Sequence, residues 1–223
     1  MSNTLITISN PRSPIAEAYR TLRTNLEFSN LDKSLRSLLV TSAGAEEGKS
    51  TTLANLAVTI AQSGKRVILV DADLRRPTLH QIFGLKNNAG LTDMVRDDAA
   101  LANPPLQETT VANLQVLTSG QQPPNPAEIL GSKRMSEILT ALLERTDMVL
   151  FDAPPVLVVT DAAVLSSKVD GVLLVISAGK TKRENARKAQ SQLEKINARV
   201  IGAVLNNVKA ESGASYYYAE GNS

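Results

Sequence analysis

The chain has 223 residues, of which 43% are hydrophobic and 21% charged, and its formal net charge is +2. This balance is that of an ordinary globular domain, and so small a net charge gives no support for nucleic-acid binding. The chain has no cysteine, which excludes disulfides, thiolate catalysis and thiolate zinc sites.

The first 14 residues form a polar segment, which we predict to be an extended N-terminal arm over residues 1–14. Asn10-Pro11 and Ser13-Pro14 are breakers of regular structure. The segment lacks the basic stretch and apolar run of a signal peptide. No apolar run approaches the ~18 residues that span a bilayer, so we expect a protein that is soluble by itself.

Strand and helix signals then alternate through one predicted domain, residues 15–208. Helices are expected at 15–28, 50–63, 134–145, 161–168 and 182–197. Strands are expected at 38–41, 67–71, 114–118, 148–152, 171–176 and 200–206. Segments 97–113 and 119–127 are predicted loops, and 209–223 a flexible tail. The strands are continuous apolar runs, which indicates an α/β fold: a doubly wound, mostly parallel sheet with helices on both faces.

A segment that looks like a phosphate-binding loop joins the first predicted strand to the helix at 50–63. It reads Ala43-Gly44-Ala45-Glu46-Glu47-Gly48-Lys49-Ser50-Thr51. Backbone N–H groups entering a helix N-terminus form an anion cradle. Lys49 is placed to reach the β- and γ-phosphates, and Ser50 to ligate magnesium. We therefore predict a nucleotide site over 44–51, although Ala43 replaces the usual first glycine and two glutamates lie in the loop.

Carboxylates follow two of the predicted buried strands. Asp71 and Asp73 lie at the end of the strand at 67–71, and Asp152 ends the strand at 148–152. In an open parallel sheet these strand ends face the ligand crevice, where carboxylates beside phosphates indicate magnesium. The alternative is that they cap helices or pair with Arg75 or Arg76.

Together these segments resemble the bacterial tyrosine kinases (BY-kinases), P-loop kinases of exopolysaccharide and capsule assembly. Val67–Pro77 resembles the second Walker motif of that family, and Asp152-Ala153-Pro154-Pro155 its Walker B segment. Further segments that follow its pattern are Pro123–Leu130, Val159–Ala162, Val169–Val175 and Gly179–Thr181. The resemblance covers roughly residues 13–208 and implies a P-loop NTPase fold.

The resemblance implies a role for each matching residue, with ATP and Mg²⁺ as cofactors. Lys49 lies in the Walker A loop, and Asp71 is the candidate base that accepts the proton of a substrate tyrosine. Asp73 and Asp152, with Ser50, organise the magnesium ion. Asn206, after the last predicted strand, is a candidate partner for the adenine base.

Two further features matter because of the resemblance. Glu17, Arg20 and Arg23 match the Glu-x-x-Arg-x-x-Arg oligomerisation motif of the family and so favour a ring-like homo-oligomer; by themselves they indicate only a solvated helix with an internal ion pair. Tyr216, Tyr217 and Tyr218 match the C-terminal tyrosine cluster that neighbouring subunits phosphorylate; the alternative is a sticky tail.

The function that these features predict is an ATP-dependent tyrosine autokinase that controls polysaccharide polymerisation and export. It is expected in the cytoplasm, at the inner face of the membrane, recruited by a membrane-embedded co-polymerase or activator. One alternative is an ATPase switch of the partitioning or septum-positioning type, but the signature lysine of those proteins is replaced by Gly44. The other is an assembly scaffold that only responds to nucleotide.

Overall fold

The computed structural model describes residues 5–28 and 35–209. Within them lies one seven-stranded sheet, with the strand order β3-β4-β2-β5-β1-β6-β7. The strands are β1 (Ser37–Ser42), β2 (Val67–Asp71), β3 (Gln107–Glu108), β4 (Leu114–Leu117), β5 (Met148–Asp152), β6 (Gly171–Ser177) and β7 (Val200–Asn206). All neighbours pair in parallel except β3, which runs antiparallel to β4 at the edge.

The helices cover both faces of the sheet, as predicted. They are α1 (Ile6–Ser9), α2 (Pro14–Phe28), α3 (Lys49–Gln62), α4 (Leu79–Phe83), α5 (Leu91–Arg96), α6 (Asp98–Ala102), α7 (Pro126–Gly131), α8 (Lys133–Leu143), α9 (Asp161–Ser166) and α10 (Arg183–Lys195). None of those helices combines the length and apolar character that crossing a bilayer requires, a finding limited to residues 5–28 and 35–209.

Two apolar cores lie on opposite faces of the sheet because strand residues alternate in direction. Leu38 and Val40 of β1 pack with α3 on one face, whereas Leu39 packs with α8 and α9 on the other. The strands are buried on both sides, which explains their continuous apolar sequences. The doubly wound parallel fold is therefore confirmed.

The predicted extended conformation of residues 1–14 is wrong where the structure describes it. Residues 6–9 form a helical turn, and α2 already begins at Pro14. Leu5 and Thr7 are buried, and both the amide and the hydroxyl of Thr7 donate to Oδ1 of Asn55 in α3, at 3.1 and 2.9 Å. Tertiary contacts with the helix after the phosphate loop thus fix a segment that its prolines had suggested was irregular.

The two predicted loops also contain regular structure. Residues 97–113 include α6, which Asp97 caps by accepting the amide of Ala99, and the short edge strand β3. Residues 119–127 include the start of α7, where Pro126 occupies the first helical turn. Proline fits there because it has no amide N–H, and the N–H groups of the first helical turn have no acceptor within the helix. Helices α4 and α5 were also not predicted.

The order of the strands brings the carboxyl ends of β1, β2 and β5 together. β5 lies between β1 and β2, although it comes much later in the chain. In the parallel register, Asp71 at the end of β2 lies directly opposite Asp152 at the end of β5. The phosphate-loop segment leaves β1 at the same edge, so the topology places the three predicted parts of the site side by side.

Candidate active site

The phosphate loop connects β1 to α3 through two residues with left-handed backbone conformation. Gly48, which precedes α3, has φ +86°, and Glu46 has φ +57°. A Cβ atom on Gly48 would lie 2.1 Å from Nδ2 of Asn206, which donates a hydrogen bond to the carbonyl of Glu47 at 3.0 Å. Only glycine fits this position, and the loop keeps the close backbone approach that an anion cradle needs.

The two glutamates of the loop lie in different surroundings. Glu47 is buried, with 4% exposure, and its Oε2 accepts the amide of Ala43 at 3.1 Å. It therefore stabilises the loop from within. The Glu46 side chain is 85% exposed, and Nζ of Lys180 donates to its carbonyl at 3.0 Å and lies 3.3 Å from its Oε2. Lys180, in the loop after β6, thus stabilises the left-handed conformation of Glu46.

Lys49 holds the carboxylates of the two strand ends together. Its Nζ lies 2.9 Å from Oδ2 of Asp73 and 3.1 Å from Oδ1 of Asp152, and it donates to Oγ of Ser50 at 3.1 Å. Burial by itself would lower the pKa of Lys49, but the charges of the two aspartates outweigh it and raise the pKa above its ordinary value. The lysine is therefore charged, and it neutralises part of a cluster of acids.

Asp71 is fully buried at the bottom of the site. Its Oδ2 accepts the amides of Thr78 and Leu79, each at 2.9 Å, at the start of α4. Burial, reinforced by the negative charge of Asp152, raises the pKa of Asp71 to about 8. In this state the residue serves as the cap of α4, which was one of the alternatives that the sequence left open.

The residues of the site fit a magnesium ion that enters with a nucleotide. Oδ1 of Asp71 and Oδ2 of Asp152 are buried oxygens without a hydrogen-bond partner in the described part of the chain. The ammonium group of Lys49 already contacts Asp73 and Asp152, where a cation is expected. Within residues 5–28 and 35–209, no three His, Cys, Asp or Glu side chains form a metal cluster. Mg²⁺ takes oxygen ligands and, beside substrate phosphates, needs only one or two carboxylates from the protein, which agrees with the two buried carboxylate oxygens named above.

One ion pair at the site was not recognised from the sequence. Arg75 donates from Nε and from Nη2 to the two carboxylate oxygens of Asp161, at 2.9 and 3.0 Å, and Asp161 is fully buried. The pair joins the segment after β2 to the start of α9. Both residues lie in segments that had been singled out, but nothing in their spacing along the chain showed that they meet.

In the structure, the side chains of the three predicted oligomerisation residues form ion pairs or hydrogen bonds within the same chain. Glu17 and Arg20 form an ion pair of 2.5 Å within α2, and Arg20 also donates to the carbonyl of Pro11. Nη1 of Arg23 donates to the carbonyl of Thr59 in α3 at 3.0 Å. Oligomerisation stays a prediction, as does the contact of Asn206 with adenine. Tyr216, Tyr217 and Tyr218 lie outside the described residues.

Comparison with known proteins places the chain in a family. A family model described as "ParA: NUBPL iron-transfer P-loop NTPase" matches residues 34–215. The tyrosine-protein kinase YwqD of Bacillus subtilis is 45% identical over 98% of this chain and 92% of its own length. The tyrosine-protein kinase Wzc of Salmonella typhi is 34% identical over 97% of this chain, which spans only 30% of that longer protein.

Solved structures agree with the sequence comparison. The kinase domain of the Escherichia coli tyrosine kinase ETK superimposes with a TM-score of 0.89 at 34% identity, covering 96% of this chain and 83% of that domain. The likeness therefore covers nearly the whole chain.

Proposed function

The chain belongs to the bacterial tyrosine kinases, which are P-loop NTPases, and from this premise we propose that it is an ATP- and Mg²⁺-dependent protein-tyrosine autokinase. The observation that carries the proposal is the joining of Lys49 to Asp73 and Asp152 at one cavity, with Asp71 directly behind. Phosphoryl transfer needs positioning and charge neutralisation more than covalent help. A lysine, a metal site and a base are sufficient.

Each group has a task in the proposed reaction. The amides of residues 44–51 and the ammonium group of Lys49 bind the triphosphate, which requires Lys49 to exchange its carboxylate partners for phosphate oxygens. Ser50, Asp73 and Asp152 hold the magnesium ion. When bound, the ion supplies positive charge to the phosphate oxygens.

Asp71 is the base of the proposed reaction. The tyrosine oxygen bonds to the γ-phosphorus, the bond from that phosphorus to the bridging oxygen breaks, and ADP leaves with the electron pair. The phenolic proton passes to the carboxylate of Asp71. Asp71 acts as a base only in its carboxylate form, so it must first release the proton that a pKa of about 8 leaves on it, and the charge of a bound Mg²⁺ would favour that release.

We assign the acceptor role to Tyr216, Tyr217 and Tyr218 of neighbouring subunits in a ring-like oligomer, assembled through the motif of Glu17, Arg20 and Arg23. The partner is an activator segment of a membrane-embedded polysaccharide co-polymerase, which recruits the chain to the inner face of the membrane. The much greater length of Wzc supports this arrangement, because its kinase-like region is part of a larger polypeptide. The regulated process is polymerisation and export of a capsular or extracellular polysaccharide.

The test is phosphotyrosine mapping by mass spectrometry after incubation with ATP and Mg²⁺, with and without the cytoplasmic segment of the membrane partner. We expect phosphate on Tyr216–Tyr218 in the wild type and none in Lys49→Met or Asp71→Asn. Lys65→Met and Asp147→Asn are the matched controls, since both residues lie at the opposite edge of the sheet and form exposed ion pairs. Both controls should retain phosphorylation.

Two other results would contradict the proposal. ATP hydrolysis without phosphotyrosine, in the presence of the partner segment, would support a nucleotide-dependent switch. Nucleotide-dependent assembly with neither activity would support a scaffold.

A further inference from the structure

The cavity beside the phosphate loop has a second wall that the proposed mechanism leaves unassigned. The cavity measures about 520 Å³. The phosphate loop and the start of α3 form one side. The segment after β2 forms the other, with Asp73, Arg76, Thr78 and Gln81 facing the same space.

Arg76 is a cation without a counter-charge at this wall. Lys49 is bound to two carboxylates, and Arg75 is bound to Asp161, away from the cavity. The guanidinium group of Arg76 makes no hydrogen bond or ion pair with any residue in the described part of the chain. It is also exposed. Its five donors are therefore available to an oxyanion.

The backbone around Arg76 is held at both ends by the aspartates of the site. The amide of Arg76 donates to Oδ1 and to the carbonyl of Asp73, at 3.1 and 3.2 Å. Two residues later, the amides of Thr78 and Leu79 donate to Asp71. Arg76 thus projects from a segment whose position is fixed by the same side chains that carry the proposed chemistry.

Thr78 adds a further polar group to this wall. Its Oγ1 is buried without a hydrogen-bond partner in the described part of the chain. A buried hydroxyl without a partner is costly. The group that this wall offers directly to a polar ligand is the exposed guanidinium of Arg76.

We propose that Arg76 binds the γ-phosphoryl group of the nucleotide and stays bound to it during transfer. This inference rests on the proposed kinase function. In transfer, the phenolic oxygen of tyrosine bonds to the γ-phosphorus, the bond to the bridging oxygen breaks, ADP takes the electron pair, and the phenolic proton goes to Asp71. The transferred group carries negative charge on three oxygens throughout, and a guanidinium fork binds two such oxygens at once. Lys49 and the loop amides contact the phosphates from the other wall, so Arg76 supplies charge where they do not reach.

The test compares a triphosphate with a diphosphate in the full-length chain. The variants are Arg76→Gln, which removes the charge, and Arg76→Lys, which keeps it without the fork. The control is Arg96→Gln, since Arg96 is exposed at the end of α5 and has no bonded partner in residues 35–209. Fluorescent ADP and a fluorescent non-hydrolysable ATP analogue are titrated in Mg²⁺, and phosphotyrosine formation is followed with the membrane-partner segment present.

We expect Arg76→Gln to lower the affinity for the ATP analogue about tenfold more than the affinity for ADP. This is the effect of losing one charge-assisted hydrogen bond. Phosphotyrosine formation should fall about a hundredfold, because the contact persists in the transition state. Arg76→Lys should give intermediate values, and the control should match the wild type in both measurements.

An unchanged ratio of ATP-analogue to ADP affinity in Arg76→Gln would overturn the proposal. In that case, weaker phosphorylation would mean that Arg76 recognises the acceptor peptide and not the phosphate. An equal loss of affinity for ADP and for the ATP analogue would overturn the proposal too, because it would indicate general damage to the nucleotide site. The affinity ratio needs no phosphotransfer. If the wild type makes no phosphotyrosine but the ratio falls in Arg76→Gln, the kinase proposal fails and the γ-phosphate contact stands.

Discussion

Replacement of Asp71 by asparagine tests the electrostatics of the site in the folded protein without a nucleotide. Asparagine has nearly the same shape, and its side-chain oxygen can accept the amides of Thr78 and Leu79 as Oδ2 of Asp71 does. What the substitution removes is the ability to ionise. The expected result is a variant more stable than the wild type, by an amount that grows with pH.

The magnitude follows from the difference between the pKa of Asp71 in the folded and unfolded states. The ordinary pKa is 3.8, and burial raises it to about 8. Between these values the unfolded wild type loses the proton while the folded one keeps it, so the folded state binds more protons and stability falls as pH rises. The slope is about 1.4 kcal/mol per pH unit. The advantage of Asp71→Asn should therefore grow by on the order of 4 kcal/mol from about pH 4 to about pH 7, and level off above about pH 8.

The assay is urea unfolding of both proteins across this pH range, without nucleotide or metal. Asp147→Asn is the control, because Asp147 is exposed and its hydrogen bonds with Arg66 lower its pKa to about 2. Asp147 is ionised in both states above about pH 5, so the effect of its substitution should not change from there upwards. If Asp71→Asn also gave a constant difference from about pH 5 to about pH 8, Asp71 would not hold a proton in the folded protein, and our account of the site would be wrong.

Three other single substitutions test the phosphate loop and the ion pair between Arg75 and Asp161. Glu46→Gly should raise the free energy of unfolding by about 0.5 kcal/mol, measured in urea, because glycine adopts the left-handed conformation of residue 46 without strain. Gly48→Ala should abolish binding of a fluorescent nucleotide in a protein that still folds, since the new Cβ would displace Asn206; unchanged affinity would contradict the loop geometry. Arg75→Leu should destabilise the fold by about 1–2 kcal/mol, a value reduced by solvent screening of the half-exposed arginine. Adding Asp161→Asn should recover part of that loss in a double-mutant cycle, and strict additivity would argue against the pair.

The predictable part of the site is the part that lies at strand ends. Continuous apolar runs place Asp71 and Asp152 at the carboxyl ends of parallel strands, and that edge is common to all of them. The sequence does not state that the strand ending in Asp152 inserts between the other two, yet this is what sets the two aspartates opposite each other. Local sequence patterns do not show that Asp71 and Asp152 lie close together, and it was the resemblance to a kinase family that indicated this.

The unpredicted part depends on contacts between distant segments. Thr7 and Asn55 are 48 positions apart, and their hydrogen bonds override the proline signals of the N-terminal residues. Glu46 and Glu47 are adjacent and chemically alike, but one is exposed and the other is buried inside the loop. From the sequence alone, both glutamates are expected to repel a bound triphosphate equally. Only the backbone, left-handed at Glu46, sends one side chain outward and leaves the other to bind the amide of Ala43.

The charges of the site imply an order of events in the proposed reaction. Asp73 and Asp152 share the single positive charge of Lys49, and Asp71 avoids a further negative charge by keeping its proton. A metal ion arriving alone would have to displace the lysine from both carboxylates, with no phosphate to receive it. A nucleotide that arrives with its ion offers the lysine new oxygens at the moment it gives up the old ones. These ion pairs therefore lead us to expect that, in the proposed reaction, ATP and Mg²⁺ bind as a complex and not one after the other.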